Sequence, residues 1–134
     1  CYIWGTNKKL MKKIITTNKS PQAIGPYSQA ILSNKTLYIS GQIGLNTDGL
    51  LINKNIEEET VQVLKNIEEI LKAAKMNFSN VVKTTIFLKN FNDYPTVNII
   101  YAKYFKNHLP AREAVEVSRL PKDVNIEISS IAVI

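Results

Sequence analysis

The chain has 134 residues, 45% of them hydrophobic, and no long low-complexity tract, which fits one folded domain and is short for two. No apolar run approaches the roughly 20 residues of a membrane-spanning helix, and the single cysteine, Cys1, excludes an internal disulfide. The net charge of +6 is concentrated at the start: with Lys8, Lys9, Lys12 and Lys13 set aside, 13 cations face 11 acids, an ordinary surface without the basic stripe of a nucleic-acid binder.

Residues 1–10 read as an N-terminal extension, either an expression remnant or the trimmed end of a longer precursor, and residues 11–134 as the domain. Cysteine usage suits a reducing, cytoplasmic setting, or an organelle if the basic extension ends a targeting sequence. Lys12 to Thr17 predicts a first strand. A second begins around Ser28 and runs to Ser33, and Asn34-Lys35 turns into a third over Thr36 to Ser40. Gly41, Gly44 and the pair Asp48-Gly49 mark the turns that follow. From Ile56 to about Met76, Val63, Leu64, Ile67, Ile70, Leu71 and Ala74 recur at helical spacing, with Glu57, Glu58 and Glu59 suited to a helix start. Val81 to Leu88 has strand composition. Tyr94-Pro95 opens a second helix whose apolar face is Val97, Ile100, Tyr101, Tyr104 and Phe105, and His108-Leu109-Pro110 ends it. Two strands close the chain, about Glu113 to Ser118 and Val124 to Val133, joined by Leu120-Pro121-Lys122-Asp123. This order predicts an α+β domain, a mixed sheet with two helices on one face.

Several chemistries are excluded by composition. One His and one Cys cannot build a His/Cys metal cluster, a Ser-His-Asp triad would depend on His108 beside a proline, and no phosphate-cradling glycine loop is present. The aromatics are not paired as in an RNA-stacking sheet. Against 15 lysines stand only two arginines, Arg112 and Arg119, in one segment. An arginine retained in a Lys-rich chain points to the guanidinium fork, which grips a carboxylate bidentately; the alternative is an ordinary ion pair. Glu127, between Ile126 and Ile128, is costly without a partner, so it reads either as an internal ion pair or as a general base or acid acting on water. A hairpin of suitable register would bring Arg112 and Glu127 to one face, while Glu113 should point away from Arg112.

Five segments carry a family resemblance: Ala23-Ile24-Gly25-Pro26-Tyr27-Ser28-Gln29-Ala30; Ser40-Gly41-Gln42; Val82-Lys83-Thr84-Thr85; Pro110-Ala111-Arg112 through Asp123; and Ile126-Glu127-Ile128. In order and spacing, from about Lys12 to the end, they resemble the reactive-intermediate deaminase family (RidA, also called YjgF, formerly endoribonuclease L-PSP). The resemblance implies a chorismate-mutase-like (ferredoxin-like) fold assembled as a homotrimer with clefts between subunits. It implies hydrolysis of 2-imino or 2-enamino acids to 2-oxo acids and ammonia without metal or organic cofactor; the charge balance and apolar runs read above argue against a nucleic-acid or membrane partner. By the same analogy Arg112 clamps the substrate carboxylate with help from the Gly41 N–H, beside Ser40. Glu127 and the carbonyl of Ala114 orient water, and Tyr27 with Asn98 of a neighbouring subunit closes the pocket. Many members carry Cys at Ala114 and Ser at Glu113, so any thiol contribution is missing here. The competing expectations are an endoribonuclease or translation inhibitor and a non-catalytic trimer that binds 2-oxo acids.

Overall fold

The computed structural model describes residues 12–134, so the expected extension, residues 1–10, and Met11 lie outside the described residues. Six strands form one mixed sheet: β1 (Lys12–Ile15), β2 (Ala30–Ser33), β3 (Thr36–Ile43), β4 (Val81–Leu88), β5 (Ala111–Glu116) and β6 (Ile126–Val133), in the order β1-β2-β3-β6-β4-β5. Helices α1 (Ile56–Ala73) and α2 (Tyr94–Tyr104) pack on one face. No described helix is long and apolar enough to cross a membrane.

Local chemistry sets the element ends. Asn55 caps α1 by accepting the Glu58 N–H. The helix stops at Ala73, short of the expected Met76, because Lys75 adopts φ 61° and the Met76 N–H turns back to the Leu71 carbonyl. Strand β1 ends before Thr17, whose backbone N–H and carbonyl are both taken by the Gln29 side chain. Bounds for β4 agree with the sequence. Strand β3 runs on through Gly41 to Ile43, with a register shift against β6 between Ile39 and Gln42.

The closing strands do not form the expected hairpin. β4 lies between β5 and β6, antiparallel to β6 and parallel to β5. The reason is burial: β4 places Val81, Thr84, Ile86 and Leu88 under the helices, a central strand's pattern, whereas Ala111–Glu116 is mostly exposed, with charged residues at half its positions, and suits an edge.

The main core joins Leu37, Ile39, Ile86, Leu88, Ile126 and Ile128 of the sheet to Val63, Leu64, Ile67, Ile70 and Leu71 of α1 and Val97, Ile100 and Tyr101 of α2. Among the described residues the other sheet face carries no helix. Across it Ile14, Ile31, Tyr38 and Ile131 stand in register, with Ile14 60% and Tyr38 51% exposed.

Glu59 differs from its two neighbours at the helix start. It is fully buried against Gly44, where a Cβ would come within 2.8 Å of the Glu59 Cγ. Its carboxylate accepts the Asn125 backbone N–H and side-chain amide, each at 2.8 Å, fixing the entry into β6. Glu59→Ala strands both donors and should lower stability in urea unfolding by about 1–3 kcal/mol. Glu59→Gln keeps an acceptor and should cost less. A Glu59→Ala protein as stable as wild type would mean that this clamp does not hold the turn.

Candidate active site

Glu127 stands on the open face of β6. Its cross-strand neighbours there are Ile43 and Phe87, and Phe87 in turn faces Val115, so apolar side chains flank the carboxyl. Burial pushes its pKa above the ordinary carboxylate range. The ion pairs among the described residues are Lys72–Glu69, Lys83–Glu113 and Arg119–Asp123, and Glu127 belongs to none of them.

Gly41 makes room for this group. A Cβ at residue 41 would collide with Glu127 Oε2 and come within 2.8 Å of its carboxyl carbon. Tyr27 joins Gly41 and Glu127 along one cleft, whose walls include Ile24, Ile43 and Pro121. The loop that brings Tyr27 there is tied down from inside by buried Gln29. That side chain accepts the Thr17 N–H at 2.8 Å and donates to the carbonyls of Pro21 at 2.8 Å and Thr17 at 3.1 Å. The Tyr27 hydroxyl accepts the Ile24 N–H at 3.2 Å. Ser40 donates its hydroxyl to the Ser28 carbonyl at 2.6 Å, so it fastens this loop to β3.

Arg112 lies elsewhere. Its β4 partner is Thr84, a buried residue of the helix-covered face, whereas Glu127 pairs with Phe87 on the open face. Within one chain the two therefore project from opposite sides of the sheet, and the same-face pairing that a hairpin would have allowed does not occur. Arg112 is enclosed by tyrosines of α2: its Cζ lies 4.8 Å from the Tyr101 ring centroid and 5.5 Å from that of Tyr94. Its Nη2 donates to the Tyr94 hydroxyl at 2.7 Å. No carboxylate pairs with it among the described residues.

The remaining expected residues divide between these two groups. Asn98, four residues after Tyr94 and three before Tyr101, shares their face of α2, and its Oδ1 is buried without a hydrogen-bond partner. It thus stands with Arg112 in the same chain, and Tyr27, Gly41 and Glu127 form the separate group. Ala114 is half-buried on the Arg112 side and packs against the core. Glu113 points the other way, as strand alternation predicts. The Thr85 hydroxyl donates to it at 2.6 Å, and this bond with Lys83 at 3.2 Å holds its carboxyl below the usual range. Arg119 is the ordinary ion pair, exposed and 2.9 Å from Asp123.

Tyr94, Tyr101 and Thr84 were not identified as site residues from the sequence. Tyr101 is buried, and its hydroxyl lies 2.7 Å from Thr84 Oγ1. Burial raises its pKa, opposed by the Thr84 hydrogen bond and the Arg112 charge. Helical periodicity read Tyr101 as plain core. The available signal was a second tyrosine seven residues earlier on the same face.

The described residues thus hold two groups, a caged guanidinium on an edge strand and a desolvated carboxyl beside a glycine. Residues 17–134 match the family described as Endoribonuclease L-PSP, and the chain belongs to this family, the RidA/YjgF reactive-intermediate deaminases. The human protein named 2-iminobutanoate/2-iminopropanoate deaminase is 53% identical over 125 residues, covering 92% of this chain and 91% of its own length. A crystal structure of a conserved Rid family protein of unknown function from Yersinia pestis has 52% identity and a TM-score of 0.89, covering 92% of this chain and 100% of that one. The crystal structure of E. coli TdcF with bound serine has 36% identity and a TM-score of 0.87, covering 91% and 98%.

The raised pKa of Glu127 has a consequence for stability. The folded carboxyl holds its proton more tightly than the unfolded one, so its contribution to stability is present at low pH and is lost as pH rises through the native pKa. Glu127→Gln keeps a neutral side chain at all pH. It should melt above wild type at neutral pH and converge with it below the ordinary carboxylate range. Thermal melts across pH check this, and a variant less stable than wild type at neutral pH, with the gap closing at low pH, would show that the ionised form is favoured.

Proposed function

We propose that the protein hydrolyses 2-imino acids, and their 2-enamino tautomers such as 2-aminoacrylate, to 2-oxo acids and ammonia. The observation that carries this reading is the pairing of two incomplete half-sites: a half-buried Arg112 without a carboxylate, and a half-buried Glu127 without a cation. The activity named for the human relative supports the reaction class, and the serine held by E. coli TdcF supports a small carboxylate-bearing ligand.

In this reading Arg112 binds the substrate carboxylate through its fork, beside the Gly41 N–H, and Tyr27 and Asn98 close around the substrate. Glu127 takes a proton from water as its oxygen adds to C2 of the imine, assisted by the carbonyl of Ala114. That proton passes to the nitrogen of the tetrahedral adduct, the adduct's hydroxyl proton follows it as the C=O bond forms and the C–N bond breaks, and ammonia leaves with the 2-oxo acid remaining. A carboxyl whose pKa is raised by burial is suited to both steps, because it accepts a proton more readily than an ordinary carboxylate.

Since Arg112 and Glu127 occupy opposite faces of one sheet, we infer that a complete site joins the Arg112 group of one chain to the Glu127 group of another, in a homotrimer of chorismate-mutase-like subunits. The helix-free stripe of Ile14, Ile31, Tyr38 and Ile131 supports this arrangement as the surface buried between subunits.

Two measurements test the reading. In a coupled assay an amino-acid oxidase supplies the imine and semicarbazide traps what survives. Wild type should speed imine loss, and Arg112→Lys should cost about 1–3 kcal/mol in kcat/KM, because a point charge replaces the fork. The rate should also fall as pH drops through the raised pKa of Glu127. Binding of 2-oxobutanoate without turnover would leave a ligand-sensing protein instead. Light scattering should give three 15.1 kDa chains, and Tyr38→Glu should dissociate them; a fully active monomer would overturn the inter-subunit site.

A further inference from the structure

The cage around Arg112 is more organised than a carboxylate clamp requires. Both of its walls are anchored independently of the arginine. Tyr101 is fixed through its hydroxyl to Thr84 and stacks on Phe105 with centroids 4.4 Å apart and planes at 27°. Tyr94 stacks on Phe91 at 4.6 Å and 16°, and the Phe91 N–H donates to Glu116 Oε1 of β5 at 2.8 Å. The guanidinium thus sits between two anchored rings, and its Nη2 donates to the Tyr94 hydroxyl at 2.7 Å.

That one bond has a geometric consequence. A guanidinium offers a carboxylate two bidentate edges, one made by Nε and a terminal nitrogen and the other by the two terminal nitrogens. Nη2 belongs to both, contributing one hydrogen to each. When one of these hydrogens is given to Tyr94, the edge it belongs to is filled, and Nη2 keeps its other hydrogen for the second edge. We propose that Tyr94 is a positioning residue that selects the edge of Arg112 open to the substrate carboxylate and holds the fork ready to receive it. This rests on the carboxylate-binding role of Arg112 proposed above. Without the hydroxyl, the long side chain regains freedom between the rings and must be ordered by the substrate itself.

Tyr94→Phe removes one oxygen and leaves the Phe91 stack and the ring beside Arg112. Its effect should appear in KM and in the Kd of 2-oxobutanoate, each raised about three- to tenfold, the range for one lost hydrogen bond, with kcat and the melting temperature near wild type. In an Arg112→Ala background, Tyr94→Phe should add nothing, because there is no fork left to orient. A structural role alone would instead lower the melting temperature and act equally in both backgrounds.

The outcomes separate the two levels of the argument. If Arg112→Ala binds 2-oxobutanoate as wild type does, the clamp reading fails and the Tyr94 proposal with it. If Arg112→Ala loses binding while Tyr94→Phe matches wild type in KM and Kd, the clamp stands and the positioning role is overturned. A Tyr94→Phe protein that lowers kcat at unchanged KM would also overturn it, since it would mean that the hydroxyl acts in the reaction rather than on the fork.

Discussion

Strand β6 runs next to the middle of the sheet, between β3 and β4, and every residue on it must serve one of two opposed environments. Ile126, Ile128 and Ala132 face the helices and are fully buried. The intervening positions face a side with no helix, and there stands Glu127. A strand buried on both faces could not carry a lone carboxyl without a cation, while a strand open to water would leave its pKa ordinary. Only a half-covered position, walled by Ile43 and Phe87, gives a carboxyl that is desolvated yet reachable. The rest of the site is arranged around that constraint: the bulge in β3 brings a glycine where any side chain would strike the carboxyl, and Glu59 holds Asn125 two residues before it.

The second group follows from an edge rather than a centre. Among the described residues β5 has one neighbour, β4, so its outer side is free of the sheet. Arg112 extends from that edge onto the helix-covered face, where α2 supplies two tyrosines instead of a carboxylate. An aromatic cage stabilises a cation without neutralising it, so the charge stays available to an anionic ligand. Arg119 shows the contrast within the same segment: paired with Asp123 and exposed, its charge is already answered.

How much of this the sequence disclosed depends on the range of each interaction. The limits of β4 and the buried face of α1 were legible because alternation and helical period are local. Arg112 could be singled out by composition, and Glu127 by its apolar flanks. The expected β5–β6 hairpin failed because the strands are neighbours in the chain but not in the sheet, and the parallel β4–β5 pairing has no local signature. The distinct role of Glu59 was invisible for a similar reason: its partner lies 66 residues away, and a glutamate run at a helix start already has a sufficient local explanation. Tyr94 and Tyr101 show a further limit. Periodicity reports that a residue faces inward, but cannot tell a side chain that fills the core from one that borders a buried cation.

Ala114 brings these threads together. It lies two residues after Arg112 on the same face, half-buried against the core. A methyl group offers no chemistry, so any role at this position falls to the backbone of an edge strand, whose outward N–H and C=O groups are not used by β4. A backbone acceptor is fixed by sheet pairing and needs no side chain to orient it, unlike a thiol, which would have to be held in one rotamer. In the reaction proposed above, the β5 edge therefore divides its tasks by atom type: a side chain supplies positive charge at Arg112, and main chain supplies an acceptor at Ala114. Both are held in register by the same parallel pairing to Thr84 and Ile86. That pairing sets their separation along the strand, and the tyrosines of α2 set the direction in which the charge points.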